Sequence, residues 1–235
     1  MAMDQYLNHP YLVPIVGSIV LVLVLISLAF VFLKQKPRQT TLLILGTTDA
    51  GKTSLFTQLY HGQTRPTVTS MKENEGTFEA HNKKYDLVDV PGHQRLRYRY
   101  TDYLPVTRAI IFVVDSTTLA RQVRFVAEYL YDVLAQKQVQ SNHIPVLVAC
   151  NKCDLITALP KEKIQQRLEE EINRLRTTRT AALEQQASEG DEEQEAYLGY
   201  EGEPFKFEHL ENVVHFETLS ARKSVTELEN WILEL

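Results

Sequence analysis

The stretch Gly46-Thr47-Thr48-Asp49-Ala50-Gly51-Lys52-Thr53 limits what this 235-residue chain can fold into more than any other feature. It fits G-x-x-x-x-G-K-[ST], and its context makes the match specific. The apolar, β-branched run Thr40 to Leu45 before it reads as a buried strand, and Lys52 to Tyr60 after it reads as a helix. Phosphate oxygens need many donors within a small arc. A loop that opens a helix supplies successive backbone N–H groups there, and Lys52 adds a charge beside the β- and γ-phosphates. Thr53, with Ser54 next to it, offers a hydroxyl to Mg²⁺.

The rest of the chain continues the alternation. Glu75 to His81 and Lys84 to Val88 flank Asn82-Lys83 as a hairpin, and Ala109 to Val114 and Pro145 to Cys150 read as buried strands. Leu119, Val123, Val126, Leu130 and Val133 recur at helical spacing. Val213 to Glu217 then reads as a strand, with Val225, Leu228, Ile232 and Leu235 on one face of a last helix. Strands alternating with helices predict an α/β fold, a doubly wound and mostly parallel sheet with flanking helices. An addition is expected at about 161–203. Ile164, Leu168, Ile172 and Leu175 make an amphipathic helix, followed by Ser188 to Glu203 with seven acidic residues and no Lys or Arg, read as a solvated loop.

Ahead of this domain, residues Tyr11 to Leu33 carry no charge, and 17 of the 23 are Leu, Val, Ile or Phe. The mean hydropathy of the whole chain is nevertheless −0.23, so the remainder is markedly polar. A helix of this length is about 34 Å long, enough to cross a hydrocarbon core of about 30 Å. No Lys or Arg precedes the run and no A-x-A site precedes Lys34, so it is expected to be retained as an N-terminal transmembrane helix. Lys34, Lys36 and Arg38 follow it, which places the downstream part in the cytosol. The expected organisation is a lumenal segment 1–10, a span 11–33, a linker 34–39 and a nucleotide-binding domain 40–235. The overall charge of −5 includes +2 from residues 1–38, so the domain is acidic and no direct nucleic-acid binding is expected.

Asn151-Lys152-Cys153-Asp154 follows the Pro145 to Cys150 strand and resembles the N-K-x-D element of the GTPase superfamily. That resemblance implies that Asp154 accepts from guanine N1–H and the 2-amino group while Lys152 packs over the ring. Adenine offers neither donor, and an unpaired buried carboxylate would cost on the order of 1 to 3 kcal/mol or more. GTP and GDP are the expected ligands. Ser220-Ala221-Arg222 resembles the S-A-K loop that completes such a pocket, with Arg222 in place of Lys. Cys150 and Cys153 make a C-x-x-C without a second pair, read as reduced thiols holding no metal.

Asp89-Val90-Pro91-Gly92-His93 resembles the D-x-x-G switch. The resemblance implies that Asp89 holds Mg²⁺ through water and that the Gly92 N–H meets the γ-phosphate. His93 stands where Ras- and Arf-like proteins carry Gln; it can orient the attacking water or close the site. With Lys52 it is the catalytic candidate. In Arg65-Pro66-Thr67-Val68-Thr69, Thr67 is the expected Mg²⁺-binding switch threonine because Pro66-Thr67-Val68 is similar to the Arf-type P-T-I, with Thr69 second. Arg95, Arg97 and Arg99, interleaved with Tyr98, Tyr100 and Tyr103, read as a partner-facing helix rather than an RNA surface.

An N-terminal span feeding into such a domain, D-x-P-G-H, and Phe205-Lys206-Phe207 after an acidic stretch together resemble the signal recognition particle receptor beta subunits, relatives of the Arf and Sar GTPases. The resemblance covers nearly the whole chain. It implies residence in the endoplasmic reticulum membrane as a single-pass protein, heterodimerisation with the N-terminal domain of the receptor alpha subunit, and a role in cotranslational targeting. An Arf- or Sar-like coat GTPase and a permanently GTP-bound tether are the rival readings. The topology is directly testable: protease added to intact microsomes should digest residues 40–235, and protection of that domain would overturn the orientation.

Overall fold

The computed structural model describes residues 17, 18, 20–25, 27, 39–80, 83–186 and 197–235, and the chain divides into two units, Met1–Arg38 and Gln39–Leu235. In the first unit the described residues are helical, with exposed side chains along 20–25. Most of the expected span 11–33 and nearly all of the linker 34–39 lie outside the described residues. No helix among the described residues is long and apolar enough to cross a membrane.

The second unit is built on six strands: β1 (Thr41–Gly46), β2 (Asn74–Ala80), β3 (Lys83–Asp89), β4 (Thr107–Asp115), β5 (Val146–Asn151) and β6 (Val214–Thr218). Their order is β2-β3-β1-β4-β5-β6, with β2 antiparallel to β3 and every other neighbouring pair parallel. The α-helices are α1 (Lys52–His61), α2 (Leu119–Leu134), α3 (Lys137–Ser141), α4 (Lys161–Gln186) and α5 (Thr226–Glu234), with 3-10 turns at Arg97–Val106 and Phe207–His209. The expected doubly wound, mostly parallel sheet is therefore present as a mixed six-stranded one.

Period-two alternation sorts the strand residues between two cores. Leu43, Leu45, Ile110, Phe112, Val146 and Val148 pack with α2, α3 and α4, whereas Leu42, Ile44, Ile111, Val113 and Leu147 pack with α1 and α5. Central strands buried on both faces read as continuous apolar runs, which is how β1, β4 and β5 were recognisable.

Two expectations change. The β2–β3 connection sits at 81–82, outside the described residues, so Lys83 opens β3 and pairs with Ala80. A two-residue connection at Asn82-Lys83 would have moved every cross-strand pair by two residues; the observed register sets Asn74 opposite Asp89. The second change concerns 161–203. Because β5 and β6 are parallel, a crossover must join them, and α4 is that crossover. Its Ile164, Leu168 and Ile172 are fully buried.

The end of the acidic stretch keeps Glu201 and Glu203 exposed, as a solvated loop would, but its backbone is anchored. Arg176 of α4 donates to the carbonyls of Leu198 (3.1 Å), Tyr200 (3.0 Å) and Glu203, and its guanidinium lies 4.8 Å from the Tyr197 ring centroid. Asn173 accepts from the Phe205 N–H at 3.1 Å, and Leu198 and Phe205 are buried. Phe205, Phe207 and Phe216 then stack edge to face into the α4 side of the sheet. Phe205→Ala should therefore destabilise the domain by about 3–5 kcal/mol in urea unfolding of the full chain. A cost under about 1 kcal/mol would place this return outside the cooperative core.

Candidate functional site

Four neighbouring strands, β3, β1, β4 and β5, end on Asp89, Gly46, Asp115 and Asn151 respectively. A parallel sheet delivers its strand ends to one edge, and the crevice beyond them is where an α/β fold binds ligands. Here that crevice is a cavity of about 640 Å³. The structure brings most of the residues singled out from the sequence to it: Thr48, Asp49 and Gly51 to Ser54 from the loop, Thr67 and Gly92 from the switch stretches, and Asn151, Lys152, Asp154, Ser220 and Ala221 from the base elements.

The loop from Gly46 to Thr53 is shaped by its neighbours. Lys52 is buried and donates to the Thr47 carbonyl at 2.8 Å; burial pushes its ammonium below the usual lysine range, against the pull of Asp89 and Asp49. A Cβ on Gly92 would stand 2.5 Å from Lys52 Nζ and 2.6 Å from the Gly46 carbonyl, so only glycine lets the switch backbone come this near. Gly51 takes φ +96°, and a side chain there would collide with Asn151 Nδ2. Ala50, fully buried, fixes the loop from below through its carbonyl.

Asn151 joins both ends of the pocket. Its Nδ2 donates to the Ala50 carbonyl at 2.8 Å, and its Oδ1 accepts from the Ala221 N–H at 3.0 Å. Lys152 holds a left-handed backbone (φ 64°) and reaches over to the Asp49 carbonyl at 2.8 Å, where Asp49 is itself left-handed (φ 62°). Its ammonium also pairs with Asp115 Oδ2 at 2.6 Å. Burial opposes ionisation of Asp115, but the bonds from Lys152 and Thr117 outweigh it and hold the carboxyl below the usual range. At the rim, the Ser220 hydroxyl holds Asp154 below the usual carboxylate range, and Lys223 lies 3.6 Å away.

On the phosphate side, Thr53 Oγ1 donates to Asp89 Oδ2 at 2.8 Å, and Asn74 Nδ2 donates to the same oxygen at 2.9 Å. Asp89 Oδ1 is buried without a partner, and burial pushes this carboxyl above its usual range. An orphaned carboxylate oxygen beside a threonine hydroxyl at the mouth of a phosphate loop suits a hydrated Mg²⁺, which takes one or two protein oxygens plus water and phosphate rather than a full protein cage. These residues fit the cation. Thr67 instead meets Ser54, hydroxyl to hydroxyl at 3.2 Å, and Ser70 is the switch hydroxyl that reaches Thr53, at 3.1 Å.

His93 is exposed, lies outside the residues lining the cavity, and accepts the Arg95 N–H on Nδ1 at 3.3 Å. In the expected partner-facing row after it, four of the six side chains bond to this chain's own residues. Arg97 pairs with Asp132 at 3.1 Å, Arg99 binds both Glu73 oxygens, Tyr100 is buried, and Tyr103 donates to Glu75 at 2.9 Å. Arg95 and Tyr98 stay exposed. Cys150 is buried, which pushes its thiol up to about 12, and Cys153 is exposed; both are free. The sequence reading did not single out Asp115, Asn74 or Ser70. Only Asp115 left a trace, as an acid closing a buried apolar strand before Ser116-Thr117.

Residues 37–214 match the family described as signal recognition particle receptor beta subunit. The chain is 36% identical to the signal recognition particle receptor subunit beta of Rattus norvegicus over 238 residues, covering 94% of this chain and 88% of that protein. Its fold matches a chain of the mammalian SRP receptor structure with a TM-score of 0.73 at 36% identity, covering 83% of this chain and 98% of that one. It also matches the signal recognition particle receptor SRb-GDP-Mg structure from Chaetomium thermophilum, with a TM-score of 0.64 at 28% identity over 86% and 99% of the two chains.

Asp115→Asn should keep the fold but weaken guanine nucleotide binding by about 10- to 100-fold, because Lys152 loses its charged partner. The carboxylate's contribution to stability is complete above its unfolded value of about 3.9 and disappears as pH falls through the lower folded value. Thermal unfolding of the variant between about pH 5 and pH 2 should accordingly fall less steeply than that of the unaltered protein. Parallel curves would show that the Asp115–Lys152 pair adds nothing to stability.

Proposed function

The chain belongs to the signal recognition particle receptor beta subunit family, and from that premise we propose that it is a GTP-dependent switch holding the receptor alpha subunit at the endoplasmic reticulum membrane. The observation that carries this reading is the cavity in which a phosphate loop, Thr53 with Asp89 bonded behind it, and the Asn151–Asp154 element meet. Guanine specificity rests on Asp154, whose carboxylate at the rim has the acceptors that guanine N1–H and its 2-amino group need. Lys152 and Asn151 hold the loops that the base and phosphates share.

On the phosphate side, the loop amides from Thr48 to Thr53 bind phosphate oxygens, Lys52 turns its ammonium from the Thr47 carbonyl toward the β- and γ-phosphates, and the Gly92 N–H senses the terminal one. Mg²⁺, when bound, would offset charge on the phosphates; Thr53 would hold it directly, Asp89 through water, and a switch hydroxyl, Thr67 by resemblance, would close on it. His93 sits outside the cavity with Nδ1 already accepting a bond, which supports slow intrinsic hydrolysis, on the order of 10⁻⁴ per second, and GTP acting mainly as an assembly signal.

The uncharged run 11–33 supports permanent single-pass anchoring with the nucleotide domain in the cytosol, which separates this protein from Arf- or Sar-like coat GTPases that leave the membrane. A change of base tests the switch reading. Asp154→Asn exchanges an acceptor for an amide that matches xanthine, so the variant should capture the alpha subunit when loaded with XTP and lose it with GTP. Capture by the unaltered protein should require GTP over GDP. Equal capture in both states would favour a permanent tether.

A further inference from the structure

A second cavity, of about 530 Å³, lies along β6, the strand that ends the sheet opposite β2, and it shares no lining residue with the nucleotide cavity. The phase of the β5–β6 ladder is fixed at both ends. The Val146 N–H donates to the Val213 carbonyl at 2.9 Å, and the Leu219 N–H donates to the Cys150 carbonyl at 3.0 Å. Bonding residues alternate along a parallel pair, so Val213, His215, Glu217 and Leu219 turn their backbone groups toward β5, and Val214, Phe216 and Thr218 turn theirs outward. Among the described residues, none of these three outward groups has a backbone partner. The cavity takes in Val214 and Phe216 from one face of the sheet and His215 from the other, so it sits astride the open edge.

An open edge accepts an extended chain through its N–H and C=O groups, and side-chain pockets choose which chain. On the α4 side the wall is apolar, made of Phe207, Leu210 and Phe216. The rim is acidic. Lys161 is offset by Glu217 at 3.0 Å and Lys206 by Glu169 at 2.6 Å, whereas Glu162 and Glu208 make no ion pair among the described residues. A lysine or arginine can lay its methylenes along such a wall and set its charged head at such carboxylates. We propose that the β6 edge is a docking site for an extended cationic segment of another protein, which adds a seventh strand with Lys or Arg at alternate positions. The outward residues from Val214 to Thr218 span about 13 Å, so about five to seven residues of the segment fill the edge. Asn212, buried and donating to the Ile144 carbonyl at 3.4 Å, holds the start of β6 in place before the segment arrives.

The test is the fluorescence anisotropy of a labelled heptapeptide of alternating valine and lysine, titrated with the GDP-loaded full chain in detergent. The peptide should bind, and excess GDP should not displace it. Two N-methylated forms separate strand addition from charge attraction: methylation of the valines and of the lysines blocks opposite edges of the peptide, so one form should lose binding and the other keep it. Glu162→Lys combined with Glu208→Lys should weaken binding about 10-fold, take up the glutamate counterpart of the peptide, and leave GDP affinity unchanged. No binding of the unmethylated peptide, equal behaviour of its two methylated forms, or full affinity in the double variant would overturn the proposal. So would a dimer in sedimentation that the peptide dissociates, which would make a second copy of this chain the occupant.

Discussion

One amide organises the pocket. Asn151, the last residue of β5, spends its nitrogen on the Ala50 carbonyl and its oxygen on the Ala221 N–H, so three loops far apart in sequence are fixed to one planar group. The bonds are buried, where a missing partner costs the full desolvation of the group left behind. Aspartate in its place would present an acceptor to the Ala50 carbonyl, and a shorter side chain would let the phosphate loop and the base loop drift independently. The two halves of a nucleotide site are thereby held at one spacing before any ligand arrives, and ordering them adds nothing to the cost of binding.

The sheet makes that economy possible. The buried part of a strand cannot itself carry polar chemistry, so each of β1, β3, β4 and β5 places its functional residue at its last position, where the strand leaves the core. The rule explains why Asp89 and Asp115 are both buried and both bonded: they sit at the boundary, close enough to the core for burial to act on them and close enough to the loops to find donors. It also explains the opposite directions of their shifts. Asp115 has an ammonium against it, whereas Asp89 faces Thr53, Asn74 and the more distant charge of Lys52.

What was legible in the sequence were features confined to a few consecutive residues: the phosphate loop, the D-x-x-G and N-K-x-D elements, and the apolar runs that announce strands. What was not legible depends on register. Asn74 meets Asp89 only because β2 and β3 pair through a connection at 81–82, and an offset of one residue in that connection would bring Gly76 there instead. Ser70 reaches Thr53 only once that pairing is set. The docked return from Tyr197 to Phe207 was hidden for another reason: acidic composition speaks for solvation, while the bonds that hold the segment are backbone carbonyls, which any residue supplies.

Asp49 and Lys152 both hold left-handed backbones without being glycine, and the side chain of one is tied to the carbonyl of the other. Conformations of this kind cost on the order of 1–3 kcal/mol each and persist only while their surroundings hold them in place. A bound nucleotide adds to these surroundings from the open side of the cavity, so the stability of the native state rises with the free nucleotide concentration relative to its dissociation constant. The chain is in this sense its own quality control. A copy that loses its nucleotide is the copy closest to unfolding, and the steady-state abundance of the protein should follow the cell's guanine nucleotide supply as well as its own synthesis.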